Sequence, residues 1–305
     1  MVGGLEMAYK ELSLLDFQRM FASNEACLEA IFDARWPNGF ICPKCGHDDG
    51  HRLSKRRAIQ CTSCRRQTSI TAGTVFHKTK VPLTNWFWLM FLMTQDKGGV
   101  STTRAATLLN MHYTTVWFIM HKIREAMADR LEGPMLSGFV EVDEAYFGGK
   151  ARGKRGRGAG NKRGVCVMVE RLNRKAGDAA MVVLPHDGYE PYVAAVEEHL
   201  EPMTYVRTDG LTMNSTLHRV VGKLNMTKIG KLYEQGSLEN VDRVISLAKR
   251  YLLGTYHQYC ARAHLQRFLN EFCYRFNRRY TWYQLASRLL SACSLRPPIL
   301  YAAIS

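Results

Sequence analysis

Two pairs of cysteines have the spacing of a metal site. Cys42 and Cys45 form one Cys-x-x-Cys pair, and Cys61 and Cys64 form a second after fifteen intervening residues. Each pair can place two thiolates on one side of an ion, and two pairs complete the tetrahedral sulfur site that Zn²⁺ prefers. Such a closed site leaves no position for a substrate. The sequence therefore predicts a structural zinc ion, with any reaction chemistry elsewhere in the chain.

Acidic residues in the second half of the chain could hold a different metal. Asp143 ends an apolar, β-rich stretch, and Asp209 follows another and precedes a glycine. Carboxylates gathered at a sheet edge can bind Mg²⁺, and a pair of such ions assists displacement at a phosphodiester. A third acid is expected from a following helix, where Glu239 is the best candidate. Lys249 lies roughly on the same side of that helix and could reach a phosphate. Each acid alone is more often a solvated turn or helix residue, and it is their order on a strand, a strand and a helix in a basic chain that favours a shared site.

The charge of the chain favours a polyanionic partner. Lys and Arg total 42 against 27 Asp and Glu, which gives a formal charge of +15 and a pI near 9.5. Nucleic acid is the usual partner of such a protein, although some basic proteins are merely soluble. The densest run is 150–163, where seven of fourteen residues are Lys or Arg. We expect it to grip phosphates, and a solvated hairpin loop is the alternative. Its candidate DNA contacts are Lys150, Arg152, Lys154, Arg155 and Arg157.

These residues require several structural elements to position them. The 305 residues suffice for two or three domains. The predicted organisation is an N-terminal helical segment (1–36), a zinc ribbon (37–76), a helix-turn-helix region (77–133) and a sheet domain with C-terminal helices (134–305). The last domain shows three strand-like stretches, a helix, a fourth strand and further helices. This order indicates a mixed α/β or α+β fold.

Two helices in the third region suggest DNA binding. A helix over 102–109 and another from about residue 114 to 131 are separated by the short turn 110–112. Lys122 and Arg124 are predicted on the exposed face of the second helix, as DNA contacts. Many helical hairpins bind nothing, so a purely structural pair is the alternative. The arginines of 275–279 likewise could line a DNA groove or a solvated helix face.

The cysteine content and the length of the apolar runs indicate a cellular compartment. Nine cysteines leave an odd remainder after zinc, without the spacing of a disulfide framework, which fits reduced thiols in a cytosolic protein. The longest apolar run, 86–93, is far shorter than the roughly 20 residues that cross a bilayer. No signal peptide is visible, so a cytoplasmic, membrane-free location is expected.

Taken together, these motifs resemble one family. The chain is similar to the ISXO-like, zinc-ribbon transposases of bacterial insertion sequences, in the DDE superfamily. The resemblance covers most of the chain, in residues 35–46, 73–76, 140–144, 147–150, 208–210, 247–250, 254–257, 265–272 and 274–279. It implies an RNase H-like catalytic domain and Mg²⁺-dependent DNA cleavage and strand transfer, in which Mn²⁺ may replace Mg²⁺.

The resemblance also implies roles for the acids. Asp143 would bridge two Mg²⁺ ions, Asp209 would hold one, Glu239 would hold the other, and Lys249 matches the family lysine. The family usually has Glu seven residues before that lysine, where this chain has Asp242, so the third acid is Glu239, which we favour, or Asp242.

The implied partners are the terminal inverted repeats of an element and target DNA. Because two DNA ends must be joined in one reaction, a dimer or larger assembly is expected on DNA. Two other functions share these features: a zinc-ribbon, helix-turn-helix regulator with an inactive catalytic domain, and an RNase H-like nuclease that cuts without joining.

Overall fold

The chain forms two compact units. The computed structural model describes residues 13–53, 56–95, 98–128, 135–148, 162–173, 175–209, 217–227, 238–257 and 262–304. One unit comprises Met1–Asp129 together with Thr281–Ser305, and the other comprises Arg130–Tyr280. Each unit is described by itself below.

The first unit begins with two short helices and a small sheet. Helices α1 (Leu14–Met20) and α2 (Asn24–Arg35) start at Ser13 and Ser23, whose hydroxyls accept backbone N–H groups of the first turn. Strands β1 (Gly50–Leu53), β2 (Ala58–Cys61) and β3 (Gln67–Ser69) form an antiparallel sheet in that order. Arg35 donates to the carbonyl of Ile70 at 2.8 Å, which fastens the end of α2 to the end of this sheet.

Three further helices complete the described N-terminal part of this unit. They are α3 (Leu83–Gln95), α4 (Thr102–Leu109) and α5 (Tyr113–Ala126). The apolar run 86–93 lies within α3, where most of its side chains are buried. Helix α4 has the bounds expected from sequence, and Asn110 ends it in the left-handed conformation, at φ 47°. None of the described helices has the length and apolar composition needed to cross a membrane.

The second unit is built on a five-stranded mixed sheet. Its strands are β4 (Phe139–Phe147), β5 (Arg163–Leu172), β6 (Lys175–Val183), β7 (Tyr205–Asp209) and β8 (Lys223–Thr227). The spatial order is β6-β5-β4-β7-β8. Strands β4, β5 and β6 pair antiparallel, whereas β4–β7 and β7–β8 pair parallel. The mixed α/β class is as predicted from sequence, and β8 was not anticipated.

Helices cover both faces of this sheet. Helix α6 (Tyr189–His199) packs on the face that carries Val140, Val142 and Val206. Helices α7 (Glu239–Tyr256) and α8 (Leu265–Asn277) pack on the opposite face, against the inward side chains of β5. The continuous apolar run 165–169 of β5 follows from this burial on both sides.

The last helix, α9 (Leu285–Leu295), belongs to the first unit rather than to the sheet. It packs against α2, α3 and α5, and its Cys293 carbonyl accepts the N–H of Val75 at 3.1 Å. The predicted domain boundary therefore differs from the structure at the C-terminal end. Sequence placed 281–305 with the sheet domain because helices that follow a sheet in sequence usually pack on it, whereas here the buried face of α9 is complementary to the N-terminal helices.

Candidate active site and metal centre

The four predicted zinc ligands converge on one point. The sulfur atoms of Cys42, Cys45, Cys61 and Cys64 all lie within 4.8 Å of one another. Two of these pairs, Cys42–Cys64 and Cys45–Cys61, are 3.6 Å apart. A tetrahedral zinc site with Zn–S bonds of about 2.3 Å places its sulfurs about 3.8 Å apart. The arrangement therefore fits a four-thiolate zinc ion with little further movement.

The two halves of this site have the same backbone construction. In each, the first cysteine's N–H donates to the carbonyl five residues later: Cys42 to His47 at 2.8 Å and Cys61 to Arg66 at 3.0 Å. In each, the residue four positions after the first cysteine donates back to that cysteine's carbonyl and has positive φ. This residue is Gly46 in the first half, at φ 73°, and Arg65 in the second, at φ 58°.

Backbone amides favour the thiolate that zinc requires. Burial raises the pKa of Cys42, but hydrogen bonds from the backbone of Lys44 and Cys45 more than offset this and lower it to about 6. For Cys45 the largest single influence is a hydrogen bond from the backbone of His47, which lowers the pKa, but the sulfurs of Cys64, Cys42 and Cys61 together with burial raise it to about 11. The imidazole of His47 contacts the Thr62 hydroxyl at 2.9 Å, which links the two halves of the ribbon.

The predicted acids of the second unit lie on two neighbouring strands. Strands β4 and β7 run parallel, with Glu141 beside Arg207 in register. Asp143 and Asp209 each lie two residues further along their strands, so both side chains project from the face that α7 covers. That face is the same one that holds the apolar residues Ala145 and Phe147. The sheet therefore brings together two of the predicted acids.

Helix α7 offers two candidate acids, Glu239 and Asp242, both exposed and both in its first turn. At 3.6 residues per turn, Asp242 and Lys249 are separated by about two turns and project in nearly the same direction. Glu239 projects about 80° away from Lys249 by the same geometry.

The pKa of Asp143 reports on the charges close to it, and Asp242 is one of them. This pKa is raised to about 6, first by burial and then by the charges of Asp209, Asp242 and Glu144, against a hydrogen bond from the Glu144 amide. Asp242 is itself affected, because partial burial and the charge of Glu141 raise its pKa.

A lysine pair borders these acids. Burial and the neighbouring charge of Lys162 lower the pKa of Lys249, whereas the charge of Asp143 raises it. The ammonium of Lys249 also lies 5.5 Å from the ring centroid of Phe147, at the end of β4. Positive and negative charges thus adjoin where strand β4 ends.

The acids differ from the cysteines in how closely their ligand atoms approach. Among the residues that the structure describes, only the four cysteines form a group of three or more ligand side chains whose atoms already converge. Asp143, Asp209 and Asp242 interact through their charges without forming such a closed set. Their mutual repulsion is nevertheless what a bound divalent cation would relieve, so the donor set fits Mg²⁺.

One residue of this region was missed by sequence reasoning. Glu141 is fully buried, and its carboxylate accepts three hydrogen bonds from the start of α7. The available signal was an acid between two apolar β-branched residues, Val140 and Val142. Burial of a carboxylate requires such partners.

The predicted DNA contacts have mixed outcomes. Five of them, Lys150, Arg152, Lys154, Arg155 and Arg157, lie outside the described residues. Lys122 is partly buried, and its ammonium lies 4.8 Å from the ring centroid of Phe118.

Arg124 was predicted on an exposed face, and this is wrong, since the side chain is 0% exposed. Helix α5 packs against α3, α4 and α9, so it has more neighbours than the two-helix hairpin assumed from sequence, and less of its surface is free.

The arginines near the end of α8 mostly contact the protein itself. Arg275 lies 3.7 Å from the buried carboxylate of Glu271, and Arg279 donates to the carbonyl of Gly177 at 3.1 Å. Arg278 donates to the Tyr274 carbonyl at 3.2 Å. These contacts favour a structural role for this cluster over a DNA groove.

The two units together define a zinc-ribbon protein with a mixed α/β domain that carries an acidic site. Residues 22–67 match the transposase zinc-ribbon domain, and residues 135–277 match the ISXO2-like transposase domain. These matches confirm the resemblance predicted from sequence, because each match falls on the segment that carries the corresponding motifs.

One curated relative is an uncharacterized protein in transposable element ISH50 of Halobacterium salinarum. It is 29% identical over 140 residues, which are 45% of this chain and 46% of that protein. The matched segment therefore spans about half the length of the relative.

Proposed function

We propose that this protein is a DDE-type transposase that cleaves DNA at the ends of an insertion sequence and joins the freed 3′-hydroxyl to target DNA. The observation that carries the proposal is the placement of Asp143 and Asp209 on one face of the neighbouring parallel strands β4 and β7, the face covered by α7, which bears Asp242. Burial first, and then the charges of Asp209 and Asp242, raise the pKa of Asp143 to about 6, in agreement with this placement. A protein does not gain stability by bringing carboxylates together, so their proximity on one sheet face supports a metal-binding role.

The sheet topology supports an RNase H-like assignment of the catalytic domain. Three consecutive antiparallel strands are followed by two parallel strands on the other side of β4, and helices cover both faces. The central strand, β4, carries Asp143, and its parallel neighbour carries Asp209. The carboxyl ends of parallel strands are the usual location of a ligand site in such sheets.

We assign the third acid to Asp242 in place of Glu239. Three observations support this choice: the charge of Asp242 reaches Asp143, its direction from the helix matches that of Lys249, and its own pKa is raised. Glu239 shares the first turn but projects to a different side.

Each residue then has a defined role. Asp143 would bridge two Mg²⁺ ions, Asp209 would hold one and Asp242 the other; Mg²⁺ supplies charge neutralisation for the attacking and leaving oxygens of an in-line displacement. Lys249 and Lys162 would bind the DNA phosphate beside the acids. The zinc ribbon and helices α4 and α5 would bind the terminal repeats, with contacts to phosphates and base edges.

The direct test is a strand-transfer assay. Purified protein is incubated with an oligonucleotide that carries the element end, supercoiled target DNA and Mg²⁺ or Mn²⁺, beside the variants Asp143→Asn and Asp178→Asn. Asp178 is a matched control, since it is a partly buried aspartate of strand β6 in the same sheet. We expect wild type and Asp178→Asn to form joined product, and Asp143→Asn to lose at least about 10³-fold in rate, which corresponds to about 4 kcal/mol.

Two outcomes would contradict the proposal. End binding without nicking or joining under any divalent ion would indicate a DNA-binding regulator. Nicking without joining would indicate a nuclease.

A further inference from the structure

Strand β4 and helix α7 are joined by a buried carboxylate. The Glu141 side chain is 0% exposed. Its Oε2 accepts the backbone N–H of Asn240 at 2.8 Å and that of Val241 at 3.0 Å, and its Oε1 accepts the side-chain amide of Asn240 at 2.9 Å. Asn240 is also buried, at 2% exposure.

These bonds replace a cap that the helix lacks. The first N–H groups of a helix have no partner within it, and a side-chain oxygen at the N-cap position usually accepts one of them. The N-cap residue of α7 is Leu238, which has no side-chain acceptor and makes no such bond. Glu141 supplies the acceptor from a different element, about 100 residues earlier in the chain. Its negative charge also suits the positive end of the helix dipole.

This link lies next to two of the proposed acids, Asp143 and Asp242. Glu141 precedes Asp143 by two residues on the same face of β4. The amide of Val241, which Glu141 accepts, directly precedes Asp242 in the chain. One buried side chain thus fixes the separation between the strand that bears one acid and the helix turn that bears another.

We propose that Glu141 is a positioning residue, which sets the location of Asp242 relative to Asp143 and so determines how tightly the acid site binds a divalent ion. The inference rests on the proposed function, because it assigns metal binding to those two acids. Glu141 itself is occupied by helix amides and is not proposed as a metal ligand. Displacement of a catalytic group by about 1 Å can cost about 100-fold in rate.

The test compares two buried or half-buried glutamates that accept backbone amides. Glu170 of strand β5 is the matched control, since it accepts the N–H of Ser137 at 3.0 Å and of Asp178 at 3.3 Å. Glu141→Gln and Glu170→Gln are each measured for Tm, for Mn²⁺ affinity by calorimetry, and for the Mg²⁺ concentration that half-saturates cleavage. Hydrogen exchange at Asn240 and Val241 reports on the link itself.

We expect Glu141→Gln to speed exchange at those two amides, to weaken Mn²⁺ binding at least about 10-fold, and to raise the half-saturating Mg²⁺ concentration by a similar factor. The control should lose a comparable amount of stability yet keep both metal parameters within about 2-fold. Equal metal parameters in the two variants would overturn the inference and make Glu141 a structural cap only. If wild type neither binds Mn²⁺ at this site nor cleaves DNA, the proposed function fails instead.

A second variant keeps the test usable if Glu141→Gln does not fold. Asn240→Ala removes the contact to Oε1 and leaves both backbone bonds to Oε2 in place. A rise of about 3-fold in half-saturating Mg²⁺ would support the inference, and an unchanged value in a folded variant would contradict it.

Discussion

The zinc ribbon and the acid site assemble their ligands in different ways. In the ribbon, each pair of cysteines lies within one tight turn, and the same two backbone hydrogen bonds shape both turns. In the acid site, Asp143, Asp209 and Asp242 come from two strands and a helix spread over a third of the chain. The ribbon therefore depends on local geometry, and the acid site on the packing of the whole sheet domain.

The two sites also differ in how close their ligand atoms lie. The sulfurs converge within 4.8 Å, as a closed structural site requires. The acids form no such closed set, and burial first, then the charges of Asp209 and Asp242, raise the pKa of Asp143 to about 6. In the proposed function the acid site must also admit a substrate phosphate, so protein ligands alone cannot close it. The ribbon thus has the geometry of a structural zinc site that contributes to folding, whereas in the proposed function the acids bind their metal together with DNA.

Removal of zinc should produce the largest effect. Structural zinc in small domains contributes on the order of 10 kcal/mol to local folding. We expect Cys61→Ser to lose one zinc ion per chain and the β1–β3 sheet with it, while Cys273→Ser, a non-ligand thiol of α8, retains the metal. Metal analysis and hydrogen exchange check this. If the ribbon amides stay protected from hydrogen exchange without zinc, the contrast between the two sites fails, because both would then depend on the surrounding fold.

Substitution of the α7 acids, one at a time, should have the next largest effect on activity. We expect Asp242→Asn to reduce strand transfer by about 10²–10³-fold, through loss of a metal ligand, and Glu239→Gln to change it by less than about 2-fold. Single-turnover rates at saturating Mg²⁺ measure both. The opposite result would return the third acid to Glu239 and would show that helix direction is a poor guide at this site.

Neutralising Asp143 should stabilise the protein while abolishing its activity. Because the folded-state pKa is raised, the folded chain binds the proton more tightly than the unfolded chain, and stability falls as pH rises from about 4 through 6. At pH 7.5, without divalent ions, Asp143→Asn should therefore raise the free energy of unfolding by about 1–3 kcal/mol. Below pH 4 the substitution should leave the free energy of unfolding unchanged. Unfolding midpoints across pH 4–8 test this. Mg²⁺ should stabilise wild type more than the variant, and an equal response would remove the metal from this site.

The sequence predicted the features of both sites that depend on residue type and spacing. The four cysteines were identifiable because Cys-x-x-Cys is a local motif, and Asp143 and Asp209 because each follows a β-rich stretch of sequence. Asp209 does end its strand, whereas β4 continues past Asp143 to Phe147. The role of Glu141 and the approach of Asp242 to Asp143 were not, since both follow from the packing of α7 on β4, which no local pattern specifies. Arg124 was assigned to the surface for a similar reason: the helix that packs against α5 comes more than 150 residues later in the chain.

The smallest expected effect compares the two halves of the ribbon itself. Arg65 has the left-handed conformation that Gly46 has in the first half, and a residue with a Cβ is disfavoured there by about 1 kcal/mol. No atom lies within 4 Å of a Cβ added at Gly46, so Gly46→Ala should lose only this backbone term. We expect Arg65→Gly to gain about 0.5–1 kcal/mol and Gly46→Ala to lose about as much, by thermal unfolding of the zinc-loaded protein. If Arg65→Gly also weakens binding to the element end, with a smaller dependence on salt, the arginine is kept for a phosphate contact at the expense of stability. If it gains stability and binds DNA as wild type does, the two halves are equivalent in function as well as in backbone, and the DNA surface of the ribbon lies elsewhere.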